Sequence, residues 1–150
     1  MTDHEALLNN LPVGQQIRLT GGGILECTAE GRLEYHYDDH QRDVSLPAAL
    51  ELLTDYDVVV FRYWRDDILA LFPYITVDPI AETSMSYKHI GQHGAANYEG
   101  MLKDSRPATA EEYADLQSEL ESMDYLLAIV EDIDRAQALE ARQRQLKKRV

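Results

Sequence analysis

Two apolar runs separated by three polar residues constrain this chain more than any other feature. Residues 58–64 (VVVFRYW) are dense in β-branched and aromatic side chains, Arg65-Asp66-Asp67 has turn character, and residues 68–72 (ILALF) return. Such residues fit the pleated surface of a sheet. Both runs are apolar at odd and even positions, so both faces of the hairpin need cover. That places it in the middle of a sheet. Pro73 has no amide hydrogen to give a neighbouring strand and reads as the end of the second run.

The elements around the hairpin follow from local signals. Residues 3–10 read as a short helical turn closed by Asn10 and Pro12. Residues 16–20 and 24–29 are β-compatible runs around Gly21-Gly22-Gly23, where a tight reversal is predicted because glycine takes positive φ freely. After a second turn at Glu30-Gly31, residues 32–37 alternate as a third strand, and the following DDHQRD reads as a polar loop. Ser45 is suited to cap a short helix with Pro47 in its first turn, and Leu46, Leu50 and Leu53 give that helix one apolar face. Beyond the hairpin, 73–83 read as a loop, 84–90 (SMSYKHI) as a strand, and 95–106 as a loop with a turn of helix. Thr109 and Glu112 fit a capping box, and Tyr113, Leu116, Leu120 and Met123 form the stripe of the helix it opens. Residues 125–130 (YLLAIV) admit two readings. A buried strand is preferred because the run is apolar on every side, although Leu127 and Val130 also continue the helical register. The expected fold class is α+β. A β-meander with a short helix occupies 1–56, and an antiparallel sheet with one capped helix occupies 57–131. The halves share one core, and a basic helical tail follows over 132–150.

Charge narrows the partners. The 150 residues carry 14 basic and 27 acidic side chains, a net of −13, which opposes direct binding to nucleic acid or anionic membranes. Residues 135–150 hold six Arg/Lys and one Glu, a net of +5, which leaves −18 for the rest. The acidic body reads either as a solvated face or as an imitation of nucleic-acid charge aimed at a partner's basic channel. The tail is suited to pair with the body's acids, to dock a second copy in a homo-oligomer, or to end a helix. A single cysteine, Cys27, excludes an internal disulfide framework and a cysteine-rich zinc module. No apolar run approaches the roughly 20 residues that span a bilayer, and the opening MTDHEALLNN lacks signal-peptide character. A cytoplasmic protein without a membrane partner is expected.

The best concentration of chemistry is residues 86–98, SYKHIGQHGAANY. Tyr87, His89, Gln92, His93, Asn97 and Tyr98 gather there between glycines, as at many strand-end binding loops. The plainer reading is that Tyr87 and His89 alternate onto one strand face and hydrogen-bond the fold. On an extended strand His89 and His93 would stand roughly 13 Å apart, from about 3.3 Å per residue, so no metal is expected between them. The pattern His36-x-x-x-His40 with Asp43 reads as an exposed acidic turn. Arg62 and Trp64 share a strand face, so a guanidinium beside an indole is available to clamp an anionic or aromatic ligand, with Lys88 and Arg106 as further candidates. The alternative for Arg62 is a pairing with one of the many carboxylates. Cys27 has no basic neighbour in sequence and is not read as a nucleophile.

Two motifs, Ser86-Tyr87-x-His89-x-Gly91-Gln92-His93-Gly94 and Arg106-Pro107-Ala108-Thr109-x-Glu111-Glu112-Tyr113, carry a resemblance. Over about residues 57–130 the chain resembles a family of small bacterial proteins often found beside phage or plasmid genes. Members often read Gly-Tyr after the capped helix, leading into a final strand; Asp124-Tyr125 stands in that place here. The resemblance implies a fold segment and a mobile-element setting, and no reaction or cofactor. The function expected from all of this is a non-enzymatic interaction protein of phage, prophage or plasmid type, meeting a host or phage protein as an acidic inhibitor. The second reading is a nucleotide-like ligand binder using Arg62, Trp64 and the 86–98 loop. A hydrolase using a metal on His89 and His93 is the third.

Overall fold

The computed structural model of the chain describes residues 3–78, 83–88, 92–131 and 133, without the side chains of 76–78, 83–84 and 92–93. The tail over 132–150, expected to be a basic helix, lies outside the described residues apart from Ile133. The first half runs α1 (Asp3–Asn9), β1 (Gln16–Leu19), β2 (Ile24–Cys27), β3 (Leu33–Tyr37), β4 (His40–Val44) and α2 (Leu46–Leu53). The second runs β5 (Asp57–Trp64), β6 (Asp67–Asp78), β7 (Thr83–Lys88), β8 (Gln92–Ala96), α3 (Tyr98–Asp104), β9 (Arg106–Pro107), α4 (Ala110–Ser122) and β10 (Leu127–Val130). The class is α+β, with a mostly antiparallel sheet in the order β4-β3-β2-β1-β10-β5-β6-β7-β8 and β9 beside β5.

β10 joins the two halves. It pairs antiparallel with β1 (Arg18 opposite Ile129) and parallel with β5 (Ile129 opposite Val59). All four of its residues are buried, as are 58–62 of β5, because helices cover both faces of the sheet there. On one face Leu7 of α1, Leu53 of α2 and Tyr98 of α3 pack against Ile17, Leu25, Val60, Leu71 and Val130. On the other face Tyr113, Leu116 and Leu120 of α4 pack against Val59, Phe61, Phe72 and Ile129. Each fully buried side chain of this size contributes roughly 1.5–3 kcal/mol relative to exposure.

Local chemistry sets the helix ends. Ser45 Oγ accepts the Ala48 N–H at 3.3 Å at the start of α2. At α4 the capping box forms in both directions: Thr109 Oγ1 accepts from Glu112 N at 3.3 Å, and Glu112 Oε1 accepts from Thr109 N at 2.9 Å. α4 stops because Asp124 takes φ 69. The Asp124 N–H then reaches the Glu121 carbonyl at 3.0 Å and the Tyr125 N–H reaches Leu120 at 3.2 Å, a Schellman arrangement with an aspartate where glycine is usual. The chain is thereby released into β10, and residues 127–130 form the strand, not a fifth turn of helix. Met123, placed on the buried stripe by its spacing, is 38% exposed.

Several elements differ from expectation, among them β9, a two-residue strand where a loop is predicted. The DDHQRD segment contains β4, a margin strand whose side chains are almost all exposed and so carry no apolar alternation. β6 continues through Pro73 to Asp78; register shifts after Phe72 accommodate the residue that cannot donate. Residues 92–96 form β8 rather than a loop, although glycine and two alanines give it little strand propensity.

Candidate functional site

Among the described residues of the 86–98 stretch, Tyr87, Asn97 and Tyr98 do not converge. Tyr87 is 1% exposed in the core beneath α4, with its hydroxyl 3.8 Å from Met123 Sδ. Tyr98 is completely buried on the opposite face, where its hydroxyl donates to the Ile133 carbonyl at 2.9 Å and accepts the Ile133 N–H at 3.1 Å. Asn97 caps α3, its Oδ1 accepting from Gly100 N at 2.7 Å. Gln92 and His93 lie in β8 with their side chains outside the described part, and His89 lies outside it altogether.

Arg62 points inward and is 4% exposed. Its Nε donates to Ser105 Oγ at 2.9 Å, and its Nη2 donates to the carbonyls of Ser105 at 2.7 Å and Leu102 at 3.3 Å. Ser105 Oγ donates onward to the Met101 carbonyl. The guanidinium thus binds the last turn of α3, where carbonyls lack helical partners and a cation is favoured.

Trp64, from the same strand, is half-buried at the hairpin end and carries two cations. Arg65 Cζ lies 4.7 Å from the indole centroid, and Lys88 Nζ from β7 also lies 4.7 Å away. The turn explains the first contact. Trp64 pairs with Asp67, and the two residues between them, Arg65 and Asp66, take φ 49 and 63. Left-handed conformation at both central positions is the twist-matched form of a two-residue hairpin turn, normally made with glycine or asparagine. A non-glycine pair there is strained, and strain of this kind gathers at functional positions.

A second cation–aromatic pair flanks the first. Arg106 Cζ sits 4.1 Å from the Tyr63 ring centroid, while β9 pairs with β5 in a register that sets Arg106 opposite Tyr63. The Tyr63 hydroxyl donates to Asp66 Oδ1 at 2.7 Å, and that bond to a carboxylate raises the phenol above its ordinary value. Arg106 also makes a two-pronged pair with Glu112, whose carboxyl is lowered to about 2 chiefly by that guanidinium. Sequence reasoning named Trp64, Lys88 and Arg106 but missed Tyr63, because alternation alone sends neighbouring residues to opposite faces. Tyr63 and Trp64 are successive residues of β5, so their cation contacts fall on opposite faces of the hairpin end.

A groove of about 780 Å³ begins beside this hairpin end and is lined by Arg18, Phe61, Pro107, Thr109, Tyr113 and Ile129 among others. Phe61 and Tyr113 stack there with centroids 4.4 Å apart and planes 11° apart. Arg18 Nη1 donates to the Tyr113 hydroxyl at 3.3 Å, and among the described residues no carboxylate forms an ion pair with it. Among the described residues no helix is long and apolar enough to cross a membrane. Comparison with protein-family models, with curated proteins and with solved structures gives no match.

Proposed function

We propose that this chain is a non-enzymatic binding protein that docks another protein through the rim formed by Tyr63, Trp64, Arg65, Lys88 and Arg106. One observation carries the reading: in a chain of net charge −13, three cations are stacked on two adjacent aromatic side chains at one hairpin end. Tryptophan, tyrosine and arginine dominate the energetics of protein interfaces, and aromatic stacking holds these cations in place before binding. The partner's contact surface would offer carboxylates to the cations and a pocket to the indole. The host or phage identity of that partner rests on the motif resemblance alone. The acidic body beside the rim supports an inhibitory consequence of docking, since it repels competing polyanions.

The test uses the full chain as bait, beside the variants W64A and R65E and a distant surface control, Y37A. A protein retained by wild type and Y37A is then purified and titrated calorimetrically. W64A is expected to weaken it at least about 30-fold, the loss of a hot-spot residue. Equal affinity for wild type and W64A, or no retained protein, removes the proposal.

The groove supports a second reading, a small anionic aromatic ligand such as a nucleotide. Its volume falls in the range of small-molecule sites, and Arg18 beside the Phe61–Tyr113 stack supplies charge and an aromatic wall. A nucleotide panel should raise the melting temperature of wild type and not of R18A. No shift with any nucleotide dismisses it.

A further inference from the structure

The open face of the β1–β4 meander carries a separate cluster. Glu26 of β2 and Glu34 of β3 are register partners, and His36 lies two residues beyond Glu34 on the same face. One ligand atom from each of the three lies within 4.8 Å of the others, with His36 Nε2 4.0 Å from Glu26 Oε2. His40, the other half of the sequence pattern, is paired with Tyr37 and so belongs to the opposite face.

Several observations separate this cluster from an ordinary acidic surface. Two carboxylates directly opposite one another across an antiparallel pair repel. Each is nevertheless held by a neighbouring amide: Gln16 Nε2 donates to Glu26 Oε1 at 2.8 Å, and Gln41 Nε2 donates to Glu34 Oε2. His36 Nε2 is covered from solvent and has no hydrogen-bond partner, although it faces the two carboxylates. The nearby cations are engaged elsewhere. Arg32 pairs with Asp43 at 3.2 Å and Glu30 at 3.8 Å. Arg18 bonds Tyr113, and Ile24 stands between it and His36 in register.

We propose that Glu26, Glu34 and His36 form a binding site for a divalent transition-metal ion of the zinc, manganese, iron or cobalt class. One imidazole with two carboxylates suits these ions, whereas calcium and magnesium prefer oxygen alone. Metal–ligand bonds of about 2.0–2.2 Å bring donor atoms to roughly 3.0–3.5 Å from one another. Closing to that spacing needs only rotation within two flexible glutamates, because the strand register already aligns them. The ion would neutralise the facing carboxylates and take the lone pair of His36 Nε2, while Gln16 and Gln41 fix the orientation of the carboxylates. Solvent fills the outward positions.

The test is titration of the metal-free 150-residue chain with cobalt(II) chloride, followed by visible absorption. One ion per chain is expected, with affinity reduced at least tenfold in E34Q and H36Q and unchanged in H40Q. Q16A and Q41A should weaken binding about 10- to 100-fold, the usual effect of removing a group that orients a ligand. Paramagnetic broadening of wild-type amide resonances, expected to centre on residues 26, 34 and 36, keeps the test independent of variant folding. No saturable binding, unchanged affinity in H36Q, or broadening centred on His4, His89 or His93 overturns the site. Any of those results leaves the Trp64 rim untouched.

Discussion

Arg106 holds Glu112 with both arms of its guanidinium, Nη1 to Oε1 at 2.8 Å and Nη2 to Oε2 at 2.7 Å. The pair, with the Thr109 N–H, lowers the Glu112 carboxyl from 4.5 to about 2. A folded value below the unfolded one means that the charged form adds stability above about pH 4.5. That contribution is lost as the pH falls from there toward 2. Glu112→Gln keeps an acceptor for the capping box and removes the charge. Wild type is expected to lose melting temperature more steeply than this variant on acidification across that window, and the two should converge below it. Parallel acid profiles would contradict the assignment.

Arg62 ties β5 to the end of α3 through three hydrogen bonds to Ser105 and Leu102. Arg62→Met should cost about 3 kcal/mol in urea unfolding, because charge-assisted bonds are lost and partly buried carbonyls are left without these donors. Arg62→Lys should recover only part of this, since an ammonium lacks the planar fork. A cost under about 1 kcal/mol for the methionine variant would show that α3 is held by other contacts.

Gly23 and Gly31 both take positive φ, 100 and 74, but have different surroundings. A Cβ on Gly23 would strike the Tyr35 ring, whereas one on Gly31 meets nothing within 4 Å. Alanine at Gly31 should therefore cost only the left-handed penalty, roughly 1–2 kcal/mol. Alanine at Gly23 should cost clearly more, and Tyr35→Ala in the same chain should return part of the difference. Equal costs in denaturant unfolding would separate the triple glycine from the tyrosines.

Asp124 occupies the left-handed position of the Schellman turn after α4. Asp124→Gly should stabilise the chain by about 0.5–1 kcal/mol, since glycine removes the Cβ penalty there. A destabilised variant would mean that the aspartate side chain contributes more than its backbone strain takes away.

The parts of the fold that sequence made legible are those where one local signal had one physical cause. Residues 58–72 were apolar on both faces because helices cover both faces. Thr109 and Glu112 announced α4 because only a helix start leaves those N–H groups free. β4 was hidden for the opposite reason: a margin strand exposed to water needs no apolar alternation, so HQRDV looks like a loop. Pro73 misled because its missing donor falls where the β6–β7 register already shifts. The candidate site was harder still. Arg62 reads in sequence as a ligand clamp or as the partner of a carboxylate, and only the position of α3 brings it to the carbonyls of Leu102 and Ser105. Glu26 and Glu34 are eight residues apart in sequence, and pairing strands brings them together.

The insertion of β10 between β1 and β5 has a consequence for biosynthesis. Residue 18 pairs with residue 129, more than a hundred residues later, so the meander and the hairpin wait as two nascent pieces until that segment has been made. During that interval β1 and β5 each expose an open row of amides and carbonyls to the crowded cell. Chaperone dependence and misassembly should therefore be most acute in variants that delay or weaken the docking of that single late-arriving strand.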